Sequence, residues 1–275
     1  MFNVSILEAK TIIRAISRTY GTDLSGTAMA SFRIRLSDIL KTYTLKDPEA
    51  LVALLLKDPE FYETFIQDVS IGSSDMFRDP ELWIDIRDRI LPDILKSELY
   101  PEILIPDCVT GGELYTMTVL LRETGLDYRV DLTATCRNAK IRDQVNLGEF
   151  PQPRFKNSMD NYQQFNPDSS LEQYTETRNG IRYLNRELIG EVEFRLQSQE
   201  QMVCSEKTAL VLYRNKMIYQ DTERQYRMLK QLLGEMKVGT YLIIGIQEAL
   251  DGFGLEHMYS TISSDLNIYI KKDAN

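Results

Sequence analysis

The chain has 275 residues, 43% hydrophobic and 27% charged, a globular composition that bounds it to one or two domains. Lys and Arg number 32 against 41 Asp and Glu, a formal net charge of -9, which argues against a protein that coats nucleic acid. No apolar run reaches the roughly 18 residues of a membrane-spanning helix, and MFNVSILEAK lacks the basic and apolar regions of a signal peptide, so neither membrane insertion nor export is expected.

The first hundred residues read as helical. Ile6, Leu7, Ile12, Ile13 and Ile16 recur at helical spacing from Ser5 to Tyr20, and Gly21 is a stop signal. A second helix is predicted over Met29–Tyr43, with Phe32, Leu36, Ile39 and Leu40 on one face and Arg33 and Arg35 on a solvated one. The triplet Asp-Pro-Glu occurs at 47, 58 and 79. Each reads as an N-cap followed by proline at the first helical position, opening helices over Glu49–Leu56, Glu60–Gln67 and through Trp83, Ile86 and Ile90.

From about residue 102 strands and helices alternate. Strands are predicted at Glu102–Ile105, Tyr128–Ala134, Thr208–Tyr213 and Val238–Gly245. Helices are predicted at Glu113–Thr124, Ala139–Leu147 and Asp221–Met236. That alternation implies a parallel, doubly wound sheet, which an antiparallel hairpin at Met258–Ile262 and Leu266–Ile270 would close. Phe150–Asp168, with three prolines and three asparagines, reads as a surface loop. Tyr174–Thr177, Ile181–Leu184 and Glu191–Leu196 read as three short antiparallel strands, with a type I′ turn at Asn179-Gly180.

Three cysteines (Cys108, Cys136 and Cys204), far apart and without CxxC spacing, suit a reducing cytosol and argue against a zinc site. The single histidine, His257, rules out a multi-histidine metal site, and no metal is expected.

Three segments together resemble the CheR family of SAM (S-adenosylmethionine)-dependent protein-glutamate O-methyltransferases of bacterial chemotaxis. Val69–Ile94 carries Phe-Arg-Asp-Pro and a helix ending in Leu-Pro. Leu104–Leu121 follows the family's Gly-Cys-Ser-Thr-Gly-Glu-Glu-Pro-Tyr-Ser motif. Leu210–Gly245 has the strand, Arg-Asn, Ile-Tyr, long helix and terminal strand in family order. The resemblance implies an α/β fold: a small all-helical domain over 1–78, then a Rossmann-like methyltransferase domain over 79–275 with a β-subdomain inserted at about 170–200.

It also implies site residues. Arg78 and Tyr219 match catalytic positions; Ser74, Thr110, Gly111, Glu113, Arg214 and Asn215 match cofactor-binding ones. Other positions depart. Asp107 stands where the family has its leading Gly, Gly112 where it has the first Glu, and Cys136 where it has the Asp that holds the SAM ribose. A carboxylate at 107 would repel the methionine carboxylate, and a thiol cannot accept two ribose hydrogen bonds.

Two functions fit these residues. One is a degenerate member with weak or no SAM binding, acting as an interaction or regulatory module toward a chemoreceptor-like or other signalling protein. The other is an active enzyme using SAM to methylate a receptor glutamate.

Overall fold

A computed structural model of the chain describes residues 4–22, 24, 27–70, 75–150, 152–197, 202–217 and 220–273. The chain forms two compact units, one of Met1–Gly72 with Asn215–Arg227, the other of Ser73–Arg214 with Met228–Asn275.

The first unit holds helices α1 (Ile6–Tyr20), α2 (Met29–Thr42), α3 (Pro48–Lys57) and α4 (Pro59–Ser70). Ser5 and Glu8 form a reciprocal capping box at the start of α1, and Gly21 ends it at φ +69°. Asp47 caps α3 by accepting from the Ala50 amide at 2.8 Å. Asp58 does the same for α4, accepting from the Glu60 and Phe61 amides at 3.0 Å. Ile12, Ile16, Phe32, Leu36, Leu40, Leu51, Leu55 and Phe65 are buried together. Each such side chain stabilises the unit by roughly 1.5–3 kcal/mol. Arg33 and Arg35 do not lie on a solvated face as expected: their guanidiniums are part-buried and donate to the Val4 and Val69 carbonyls at 2.6 and 2.9 Å.

The second unit opens with α5 (Pro80–Asp85), a π-turn over Ile86–Ile90 and α6 (Leu91–Ser97). There follow β1 (Glu102–Ile105), α7 (Gly112–Thr124), β2 (Asp131–Cys136), α8 (Ala139–Leu147), β3 (Glu149–Phe150) and α9 (Gln152–Phe165). Then come β4 (Thr175–Arg178), β5 (Ile181–Leu184), α10 (Arg186–Ile189), β6 (Glu193–Leu196) and β7 (Thr208–Tyr213). Helix α11 (Thr222–Glu235), whose residues as far as Arg227 belong to the first unit, is followed by β8 (Tyr241–Ile244), β9 (Tyr259–Ser263) and β10 (Ile268–Lys271).

The main sheet runs β6-β2-β1-β7-β8-β10-β9. Its first five strands are parallel, and β10 is antiparallel to both β8 and β9. Every residue of β1, β7 and β8 is buried, as in a sheet covered on both faces. The direction of winding reverses between β1 and β7, and doubly wound sheets bind ligands beyond the carboxyl ends of the strands at such a point. A second sheet, β3-β5-β4, carries the Asn179-Gly180 turn, with both residues at positive φ as type I′ requires. No helix among the described residues is long and apolar enough to cross a membrane.

Two sequence expectations fail here. The loop expected over Phe150–Asp168 is mostly helix α9. Phe155, Ser158, Tyr162 and Phe165 are buried at spacings of three and four, a stripe hidden by the polar residues between them. The third strand of the expected antiparallel trio, β6, instead lies parallel to β2 at the edge of the main sheet, with Thr133 opposite Glu193 and Cys136 opposite Leu196. Its place in the small sheet is taken by β3.

Candidate functional site

The carboxyl ends of β1, β2 and β7 bring together the turn 106–111, the pair Cys136-Arg137, and Arg214. Ladder bonding carries on past the end of β1: the Asp107 amide donates to Thr135 Oγ1 at 2.9 Å and the Cys108 amide to the Thr135 carbonyl at 2.7 Å. Asp107 is thereby fixed in the left-handed region at φ +51° and is buried. Its carboxylate accepts two bonds from Arg137, from Nε at 2.6 Å and Nη2 at 2.7 Å. Burial works against the Arg137 charge, but the Asp107 carboxylate outweighs it and raises the guanidinium pKa. The charge at 107 expected to repel a bound carboxylate is therefore neutralised within the protein. The single residue Arg137, which sequence reasoning missed, does this.

Cys136 faces inward. It is fully buried, and its thiol donates to the Cys108 carbonyl at 3.4 Å. Gly111 sits at φ +78° at the start of α7, where Tyr115 fills the space beside it and donates its hydroxyl to the Val145 carbonyl at 2.7 Å. A Cβ at 111 would lie 2.2 Å from the Tyr115 ring. Left-handed strain and overpacking together make Gly111→Ala cost an expected ~2–4 kcal/mol, read as a lowered midpoint in urea unfolding.

Arg214, at the end of β7, has no exposed side-chain surface. It donates to Asp79 from Nη2, and Nη1 lies 3.6 Å from Glu113 Oε1, beyond hydrogen-bond reach. The Trp83 ring lies 5.6 Å from its guanidinium carbon. Among the described residues, Nε and Nη1 have no hydrogen-bond partner. Asp79 was expected to cap α5, but its φ is +60° and its carboxylate makes no cap, going to Arg214 instead. The first two Asp-Pro-Glu triplets are helix starts with working caps; the third sets a buried ion pair.

Helix α9 anchors the segment leading into Asp79. Ser158 Oγ accepts from the Met76 amide at 3.0 Å, Asn161 donates to the Met76 carbonyl at 3.0 Å, and Tyr162 and Phe165 pack on Phe77. Thr116 Oγ1 accepts from the Phe77 amide at 2.9 Å.

The predicted site residues are placed as follows. Glu113 and Arg214 are neighbours; Thr110 and Gly111 share the turn after β1; Cys136 packs against that turn. Arg78 is part-exposed, and its carbonyl accepts from Trp83 Nε1 at 2.8 Å. Asn215, at φ +55°, belongs to the first unit. Ser74 and Tyr219 lie outside the described residues. The Nε and Nη1 donors of Arg214, without a hydrogen bond among the described residues, suit an anionic acceptor such as the carboxylate of SAM. The residue at the position the resemblance gives to the ribose does not fit: the Cys136 thiol faces the turn and cannot accept from two hydroxyls.

Among known proteins, the chain is similar to a Pseudomonas putida protein provisionally named methyltransferase Cher3, 27% identical over 245 residues and 89% of each chain. It is 23% identical to the chemotaxis protein methyltransferase of Borreliella burgdorferi, over 91% of this chain and 90% of that one. It is 21% identical to chemotaxis protein methyltransferase 1 of Vibrio cholerae, over 90% and 91%. Residues 8–70 match the all-alpha domain of CheR methyltransferases and residues 72–268 match their SAM-binding domain, so the chain belongs to the CheR methyltransferase family.

Proposed function

We propose that this chain is a CheR-family protein that has lost a firm hold on SAM and acts in signal transduction as a binding module for a receptor-like or other signalling protein. The observation that carries this reading is the replacement at the ribose end: a fully buried, inward-facing Cys136 whose thiol donates to the Cys108 carbonyl. Each charged hydrogen bond missing from a ligand weakens binding by about 1.5–3 kcal/mol, roughly ten- to 150-fold. Isothermal titration of the full chain with SAM and with S-adenosylhomocysteine is expected to give dissociation constants above the micromolar range. Clear micromolar binding of either would refute the proposal.

One observation favours a second reading, an active glutamate O-methyltransferase: among the described residues, Nε and Nη1 of the buried Arg214 make no hydrogen bond. On this reading the residues that match the family keep the roles the resemblance implies: Glu113, Thr110, Gly111, Ser74 and Asn215 toward SAM, and Arg78 and Tyr219 toward the carboxylate to be methylated. Transfer of labelled methyl groups from SAM to glutamate-bearing receptor fragments would support it.

A further inference from the structure

The sheet end opposite the crevice carries a group of exposed apolar side chains. Tyr128 precedes β2, Leu99 and Tyr100 precede β1, and Val238 precedes β8; they are 74%, 69%, 53% and 58% exposed. In a parallel sheet these loops share one end, and bonds between their neighbours hold them side by side. The Asp131 amide donates to the Pro101 carbonyl at 2.9 Å, and Lys237 pairs with Glu98. Large apolar side chains left exposed together at one end of a sheet suit an interaction site.

Next to it lies a cavity of about 230 Å³ with Tyr128 in its lining. Val130, Leu132 and Leu188 form buried apolar walls, and Asp127, Asp131, Glu187 and Glu191 supply four carboxylates against the guanidinium of Arg122 and the ammonium of Lys207, which lies 3.5 Å from Asp131. Arg122 already pairs with Asp127 and, at 3.6 Å, with Glu187. An apolar wall under an acidic rim suits a side chain with a hydrocarbon stem and a cationic head.

The geometry points to this end of the sheet as a docking surface for a partner segment that places one arginine or lysine in the cavity and apolar neighbours on Tyr128, Leu99 and Tyr100. Charge complementarity selects this occupant over an acidic segment. The inference is independent of the SAM crevice, which lies at the other end of the strands.

Fluorescence anisotropy of the full chain with two labelled peptides tests it: one alternating leucine and arginine, the other with each arginine replaced by glutamate. Binding of the arginine peptide alone is expected. Glu187→Lys/Glu191→Lys and Tyr128→Ala should each weaken it at least tenfold while leaving the melting temperature unchanged, since all three side chains are exposed. Absence of binding, equal binding of the acidic peptide, or indifference to both variants would overturn the inference. So would a dimer in sedimentation velocity that Tyr128→Ala dissolves, which would make a second copy the occupant.

Discussion

Replacing Glu102 by alanine is expected to lower the unfolding free energy by about 3–5 kcal/mol. This carboxylate, at the start of β1, is 3% exposed and joins four strands or their approaches. It accepts from Thr133 on β2 at 2.8 Å, from Ser205 at 2.6 Å and from Thr208 on β7, and Arg195 on β6 lies 3.0 Å away. Truncation leaves these donors facing a void in the sheet. Burial alone would raise the Glu102 pKa, but the hydroxyls of Ser205, Thr208 and Thr133 and the Arg195 charge together hold it below the ordinary 4.5. Its stabilising contribution is therefore complete above pH 4.5 and is lost as the pH falls through the lower folded-state value. Urea unfolding at pH 7 and at successively lower pH checks both points. Glu102→Gln should lose less stability than the wild type over the acid range.

Arg137→Ala is the second large effect, again about 3–5 kcal/mol, because it leaves the Asp107 carboxylate buried without its partner. Asp107→Gly/Arg137→Ala should recover most of that loss. No charge is then left unpaired, and glycine adopts the φ of +51° without strain. The double-mutant cycle by urea unfolding should give a coupling energy well above 1 kcal/mol; additive single effects would show that the pair contributes nothing as a pair. Calorimetric titration of the double variant with S-adenosylhomocysteine should also show tighter binding than the wild type.

The fold was legible where periodicity and end signals agree. Helix α8 and strand β7 have the bounds their sequence predicts, because Asn138 and Gly148 bracket one and TALVLY is an unbroken buried run. Helix α9 was not legible, since its buried stripe is diluted by proline, asparagine and glutamine. Strand β6 could not be assigned to a sheet because pairing with β2 is a tertiary choice that alternation alone does not encode.

At the site, sequence showed the departures at 107 and 136 but not that Arg137 holds the Asp107 carboxylate. The signal was present: an acid newly placed after β1 and an Arg one position past the lost acid after β2. What sequence could not supply was the left-handed turn at Asp107 that brings the two side chains together. For the same reason Asp79 read as a helix cap, because nothing local announces that Arg214, 135 residues later, will claim its carboxylate.

Crystals of the full chain soaked with S-adenosylhomocysteine test the reading of the crevice most directly. The expected map keeps Asp107 and Arg137 joined and holds no ribose between the ends of β1 and β2. A seated nucleoside, both hydroxyls gripped by some protein acceptor and the Asp107–Arg137 bonds broken, would contradict it.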